Sequence, residues 1–354
     1  MALPVVLQKD KENLKTLVVG GGSWGTALAI LLARNQVPTL LWARDLAQVS
    51  AMILTRRNDR YLPQVPFPPS LEPIADLEGA LSQTRQVLVT VPSCGFRPIL
   101  ERLAGRLSSH IPLIWATKGL EPGTGRLLHE VAVELLGSGW PMAVMSGPTF
   151  AHEVAVGLPT AVTVAATESE IATRFARCLH GDTFRVYTSD DLIGVQLGGA
   201  VKNVLAIAAG ISDGLGFGAN TRAALITRGL TELVRFALAW GGQKETLMGL
   251  SGLGDLVLTC TDDQSRNRRL GLALAQGKRL DEALTLIGQA VEGAAAAKVV
   301  VARAKQLAVE MPIAEQVYQV LYAGRHPRQA VELLCRREQK PEYAYMGYLL
   351  NEKR

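Results

Sequence analysis

Lys202 is a cation in a place where cations are costly. It sits in Leu197-Gly198-Gly199-Ala200-Val201-Lys202-Asn203, inside an apolar run from Leu192 to Ile211. A snorkelling lysine would lay its stem along that face and keep its ammonium in water. A buried one loses hydration, so its pKa falls toward neutrality, where a general acid or base works best. The run is apolar on both sides of it, which favours the second reading. Other segments also set polar residues among glycines at the ends of elements, where sites are built. Thr117-Lys118-Gly119-Leu120-Glu121 and Ser146-Gly147-Pro148-Thr149-Phe150-Ala151 each follow a strand-like run. Lys118 is then either a surface lysine or a substrate contact. Gly252-Leu253-Gly254-Asp255 is followed by Ser265-Arg266-Asn267. Asp255 reads either as a turn residue or as the anchor of the Lys202 ammonium. Ser265 could simply cap an exposed helix opened by Arg266 and Asn267. Alternatively the three form an anion site of hydroxyl, guanidinium, amide and helix N-terminus. On these residues alone both readings stand.

Such groups need a reactant, and the N-terminal segment points to one. Gly20-Gly21-Gly22-Ser23-Trp24-Gly25 carries G-x-G-x-x-G directly between a strand-like run and a helix-like one. Gly20 permits the tight turn, Gly22 the close approach of backbone to a pyrophosphate, and Gly25 close helix–strand packing. The helix N-terminus offers N–H groups to the phosphates. The hexapeptide alone is weak; strand, helix and second strand in register make it a dinucleotide site. The second strand ends in Trp42-Ala43-Arg44-Asp45. NAD-selective sites place a carboxylate at that tip, whereas Arg44 suits a 2′-phosphate. NADPH is therefore expected to be accepted, with NADH not excluded and no metal required.

These residues need elements to hold them. Thr16–Val19, Thr39–Trp42, Val87–Val91, Leu113–Ala116 and Ala143–Met145 read as strands, with helix-compatible stretches Ala27–Ala33, Ile99–Leu107 and Leu127–Leu136 between. That alternation predicts a parallel sheet with helices on both faces. Ala161–Val164 and Phe184–Tyr187 extend it, around a helix over Glu168–Leu179. Beyond about residue 190 the texture is helical: Asp191–Ile211, Thr221–Trp240, Arg266–Gln276, Ala294–Ala308 and Ile313–Leu321, with a glycine-rich joint over Ser212–Gly218. The expected plan is a lead-in over 1–14, an α/β dinucleotide-binding domain over 15–190, an all-α substrate domain over 191–340 and a tail over 341–354.

Composition narrows the classes. At 354 residues the chain has room for about two domains. With 48% hydrophobic and 19% charged residues it is not intrinsically disordered. A formal charge of +5, without Lys/Arg runs, suits small anions and gives no nucleic-acid stripe. Cys94, Cys178, Cys260 and Cys335 form no C-x-x-C, so neither a zinc site nor a disulfide framework is expected. The uncharged stretch Leu135–His152 is broken by glycine and proline, and Lys202 interrupts the other apolar run, so no membrane insertion is expected. MALPVVLQKDKENLK lacks the basic start of a signal peptide, which leaves the cytoplasm as the expected location.

Assembled in order, the motifs resemble bacterial-type glycerol-3-phosphate dehydrogenases that use NAD(P). The resemblance runs from about Thr16 to Leu334. It rests on GGGSWGTALA, ATKGLE, SGPTFAHEVAVGLPTA, LGGAVKNVLAIAAGISDGLGFGANTRAALITRGLTE, the GLGDLVLTCT and SRNRRLG pair, and VEG at Val291-Glu292-Gly293. It implies a Rossmann-like domain followed by a helical domain like that of 6-phosphogluconate dehydrogenase. By the same resemblance Ser23, Trp24, Arg44, Ala151 and Glu292 match cofactor positions. Lys118, Gly147 and Thr149 match substrate contacts; the family usually has Ser where Thr149 stands. Lys202 matches the proton donor and acceptor. Asp255, Ser265, Arg266 and Asn267 match the triose-phosphate pocket, and Arg266 also reaches the cofactor. The implied reaction is reversible reduction of dihydroxyacetone phosphate to sn-glycerol 3-phosphate, feeding glycerophospholipid synthesis, in a chain expected to form a homodimer. Two rivals are a dehydrogenase of another hydroxyacid or sugar acid, and a sensor that binds NAD(P)H without chemistry.

Overall fold

The fold begins with short apolar strands buried on both faces, which is why they read as unbroken hydrophobic runs. In β1 (Thr16–Val19), Leu17 and Val19 face one core while Val18 faces another. β2 (Thr39–Trp42) repeats the pattern, with Leu41 against Leu40 and Trp42. The structure is a computed structural model and describes residues 15–338. The expected lead-in over 1–14 and tail over 341–354 lie outside the described residues.

Two short strands, β3 (Arg57–Asn58) and β4 (Leu62–Pro66), form a separate antiparallel hairpin. The main sheet adds β5 (Leu71–Ile74), β6 (Gln86–Val89), β7 (Leu113–Trp115), β8 (Met142–Ser146), β9 (Thr160–Ala166) and β10 (Phe184–Ser189). Its strand order is β10-β9-β8-β7-β6-β1-β2-β5. β5, β2, β1, β6, β7 and β8 all run parallel, giving the Rossmann-like core. The wholly parallel sheet expected from sequence needs one correction. β9 pairs antiparallel with β8, from Ala143 opposite Ala166 to Ser146 opposite Thr163, and β10 follows β9 in parallel. The short helix Ala151–Val156 between β8 and β9 is too brief for a crossover, so the chain turns back beside its own strand.

After Ser189 the regular elements among the described residues are helices, and they gather round one long axis. The helix Leu192–Gly214 is wrapped by Ala219–Ala239, Asp255–Thr261, Arg266–Ala275 and Glu292–Gln306. It is long and apolar enough to cross a membrane, with mean hydropathy 1.6, yet 89% of that window is buried inside the protein. Glycines let its neighbours touch backbone to backbone. A Cβ at Gly210 would stand 2.1 Å from the Arg268 carbonyl oxygen, and one at Gly271 would stand 2.1 Å from that of Ile207. The joint expected over Ser212–Gly218 is shorter, because the first helix runs on to Gly214 and the next begins at Ala219.

Candidate active site

β1 and β6 are neighbours in the sheet, yet their following connections leave in opposite directions, and a crevice opens beyond their carboxyl ends. The glycine turn forms its floor. Gly20 has φ +130°, a conformation that favours glycine. A Cβ on Gly25 would meet the Gly20 carbonyl oxygen at 1.9 Å, which explains that glycine by packing alone. Gly22 differs: a Cβ there would meet nothing within 4 Å, and its φ is an ordinary −80°. The protein itself does not require a glycine at 22, but a pyrophosphate laid across the turn would. Gly22 also caps the helix Ser23–Arg34 without offering a side-chain acceptor, so the N–H groups of its first turn remain available to an anion. The residues thus fit a dinucleotide. Ser23 donates its hydroxyl to the Tyr61 carbonyl at 2.8 Å, and the buried Trp24 Nε1 has no partner. Arg44 is exposed at the end of β2, and Ala151 opens the helix beyond β8.

Lys202 is buried at the centre of its helix. Its Nζ donates to Asp255 Oδ1 and to Thr259 Oγ1, both at 2.7 Å. Lys118 reaches the same carboxylate from the strand side, donating to Asp255 Oδ2 at 2.7 Å, to the Gly147 carbonyl at 2.8 Å and to Thr149 Oγ1 at 3.2 Å. Two ammonium groups therefore share one carboxylate, leaving a net positive charge in a nearly dry place. Desolvation is the main force on Lys202 and lowers its pKa to about 8; Asp255 opposes that and Lys118 adds to it. Asp255 is not a turn residue. It begins the helix Asp255–Thr261, entered directly from a π-helical turn over Leu250–Gly254. Thr259, one helical turn on, was missed in the sequence because Asp255 was not placed on a helix.

The third group of residues closes the cleft. Ser265 caps the helix Arg266–Ala275, accepting from the Arg268 N–H at 3.2 Å, but the helix is largely buried rather than exposed as the capping reading expected. Arg266 is another matter. Its only side-chain hydrogen bond among the described residues, to Gln289 Oε1, is long at 3.5 Å, and burial lowers its pKa. No carboxylate lies within ion-pair distance of it among the described residues, which leaves the guanidinium open to an anion. Asn267 donates to Asn203 Oδ1 at 2.9 Å and accepts from the Gly293 N–H at 2.9 Å, tying three helices together. Only one of its amide hydrogens remains. Glu292 crosses back to the sheet domain, where its Oε2 accepts from Ser93 Oγ at 2.6 Å and its Oε1 from the Ser93 N–H at 3.2 Å. Asn203 and Ser93 were also missed; neither type in isolation signals chemistry.

These groups line a single cleft of about 1780 Å³. Gly20, Gly22, Ser23, Trp24, Arg44 and Ala151 border it on the sheet side, with Lys118 and Thr149. Lys202, Asp255, Ser265, Arg266, Asn267 and Glu292 border it on the helical side. Gly25 and Gly147 lie behind the wall, Gly147 touching Lys118 through its carbonyl. The volume exceeds the ~300–1,000 Å³ of a drug-sized pocket, leaving room for a dinucleotide and a small substrate.

Residues 15–172 match the family model for the N-terminus of NAD-dependent glycerol-3-phosphate dehydrogenase, and residues 191–332 match the model for its C-terminus. The chain belongs to the NAD-dependent glycerol-3-phosphate dehydrogenase family. Within that family it is 95% identical over 344 residues to a glycerol-3-phosphate dehydrogenase (NAD(P)+) of Nitrosococcus oceani, which spans 97% of this chain and 100% of the relative. A relative of the same name from Thioalkalivibrio sulfidiphilus is 60% identical, over 92% of this chain and 98% of its own. The crystal structure of glycerol-3-phosphate dehydrogenase from Coxiella burnetii superposes with a TM-score of 0.89 at 49% identity, covering 92% of this chain and 99% of that one. A D-mandelate dehydrogenase at 10% identity, with a TM-score of 0.60 over 90% of this chain and 99% of that one, shares the fold alone. Neither the hydroxyacid rival nor the non-catalytic sensor is favoured by these relatives.

Proposed function

We propose that the chain catalyses reversible NAD(P)-dependent reduction of dihydroxyacetone phosphate to sn-glycerol 3-phosphate. The observation that carries this reading is the Lys118–Asp255–Lys202 triad on the wall of a dinucleotide cleft. When bound, the nicotinamide supplies a hydride to C2 of the ketone. The ketone oxygen gains negative charge in that step, and a site holding two ammoniums to one carboxylate is already electrostatically matched to it. Lys202 gives the proton to that oxygen and takes it back in the reverse direction. Lys118 polarises the same oxygen, while Asp255 and Thr259 fix where the Lys202 ammonium points. Arg266 grips the phosphate, helped by the Ser265 hydroxyl and the spare Asn267 N–H, and so holds the carbonyl in register. Glu292 and Ser93 hold the two walls together beside the cofactor.

The division of labour follows a boundary near residue 190, with most cofactor residues before it and the proton donor after it, together with Arg266 and Glu292, which reach the cofactor from the helical side. The product is the backbone of glycerophospholipids, so the chain supplies phospholipid synthesis, in the cytoplasm and as a homodimer. The test is to mix purified protein with NADPH and either dihydroxyacetone phosphate or dihydroxyacetone, following the reduced-nicotinamide absorbance. With the phosphate, turnover is expected. Without it, losing the contacts of Arg266, Ser265 and Asn267 to the phosphate should cost roughly a thousandfold or more in kcat/KM. Equal rates on the two ketones would refute the phosphate grip, and no oxidation of NADPH with either would refute the activity.

A further inference from the structure

The adenosine end of the cleft carries a charge pattern that the reading above does not use. Trp42 closes β2, held by its Nε1 donating to the Ala75 carbonyl at 2.9 Å. Arg102, on the helix Ser93–Leu103, stacks over that indole with its guanidinium carbon 5.2 Å from the ring centroid. Arg44 stands two residues beyond Trp42. Arg44 and Arg102 both line the cleft, and neither has an ion pair or a side-chain hydrogen bond among the described residues.

The carboxylate that would serve a ribose diol is close by in sequence but committed elsewhere. Asp45 Oδ1 accepts from the Ala47 and Gln48 N–H groups at 3.0 and 3.3 Å, capping the helix Leu46–Thr55. Its Oδ2 accepts from Arg60 Nη1 at 2.8 Å. Asp45 lines a separate hollow of about 200 Å³, not the cofactor cleft. The carboxylates that do line the cleft, Asp255 and Glu292, are engaged with Lys202, Lys118 and Ser93.

We infer that Arg102 is a specificity-determining residue: stacked on Trp42, it grips the 2′-phosphate of NADPH jointly with Arg44, while Arg60 and the helix cap hold Asp45 away from the ribose. Stacking fixes the plane of the guanidinium, so its fork meets a phosphate at low entropic cost. A ribose 2′-hydroxyl brings no charge to offset the mutual repulsion of two unpaired guanidiniums; a phosphate does. The chain therefore prefers NADPH to NADH.

This rests on the dehydrogenase reading only through the cofactor cleft, and its test needs no turnover. Titration calorimetry of the full chain at fixed ionic strength compares adenosine 2′,5′-bisphosphate with adenosine 5′-monophosphate. The unmodified chain binds the bisphosphate more tightly. In Arg102→Gln the bisphosphate weakens by about tenfold to a hundredfold, while the monophosphate changes by less than about threefold. The ratio of kcat/KM for NADPH over NADH, with dihydroxyacetone phosphate, falls by the same factor. If Arg102→Gln weakens both nucleotides equally, Arg102 is only a support for Trp42 and the inference fails. It fails too if the unmodified chain binds the monophosphate as tightly as the bisphosphate. Arg102 is exposed, so the variant folds, and either failure leaves reduction of dihydroxyacetone phosphate standing.

Discussion

Asp255 has two oxygens and gives one to each lysine, so the charge state of Lys202 is a contest between burial and that carboxylate. Burial wins, and the pKa comes down to about 8. Donating a proton to the ketone requires the ammonium form. The kcat/KM for dihydroxyacetone phosphate should therefore fall as pH rises through about 8, and oxidation of glycerol 3-phosphate should rise across the same limb. Burial and Lys118 lower the Lys202 pKa and Asp255 is the main group that raises it, so Asp255→Asn removes most of the opposition. The alkaline limb for reduction should then move to lower pH by about one unit or more, alongside a loss of rate. A pH profile whose limb stays put in Asp255→Asn would show that Asp255 does not govern Lys202.

The glycine turn and the helix after it show how one element serves both packing and function. Gly25→Ala forces a Cβ against the Gly20 carbonyl and the Thr90 hydroxyl, at 1.9 and 2.4 Å, and should cost about 1–3 kcal/mol or more of stability. Gly22→Ala meets open space, so it should cost under about 1 kcal/mol while still weakening the cofactor. Thermal melts and nicotinamide fluorescence titrations separate the two; a Gly22→Ala protein that binds cofactor normally would mean that nothing lies over the turn. The same elements show what sequence can convey. β1, β2 and the turn were legible because buried strands are short apolar runs and the glycine spacing has a mechanical reason. The direction of β9 was not, since an apolar run reads the same both ways. β5 was missed because Leu71-Glu72-Pro73-Ile74, at the sheet edge, carries a proline and a charge. The helix Asp255–Thr261 was hidden by the preceding glycines, which signal a turn. Gly252 is needed for packing instead, as its Cβ would stand 2.0 Å from the Leu247 carbonyl oxygen. At the site, the burial of Lys202 was legible from its apolar helix alone, whereas the roles proposed for Ser265, Arg266 and Asn267 depend on the family likeness.

At the scale of the molecule, a glycine-floored crevice on the sheet faces Lys202, the proposed proton donor, on a helix buried in the other half. Lys118 and Glu292 are polar links across the gap, through Asp255 and Ser93, and Gln264 donating to Glu153 is another. On the proposed reading the sheet half does most of the cofactor binding and the helical half supplies the proton, so losing the proton donor should spare cofactor affinity. The most direct trial of that separation is Lys202→Ala, measured for both. NADPH affinity should stay within about threefold of normal, while turnover of dihydroxyacetone phosphate should drop by roughly a thousandfold or more. A variant that still turns over at close to the normal rate would contradict the account.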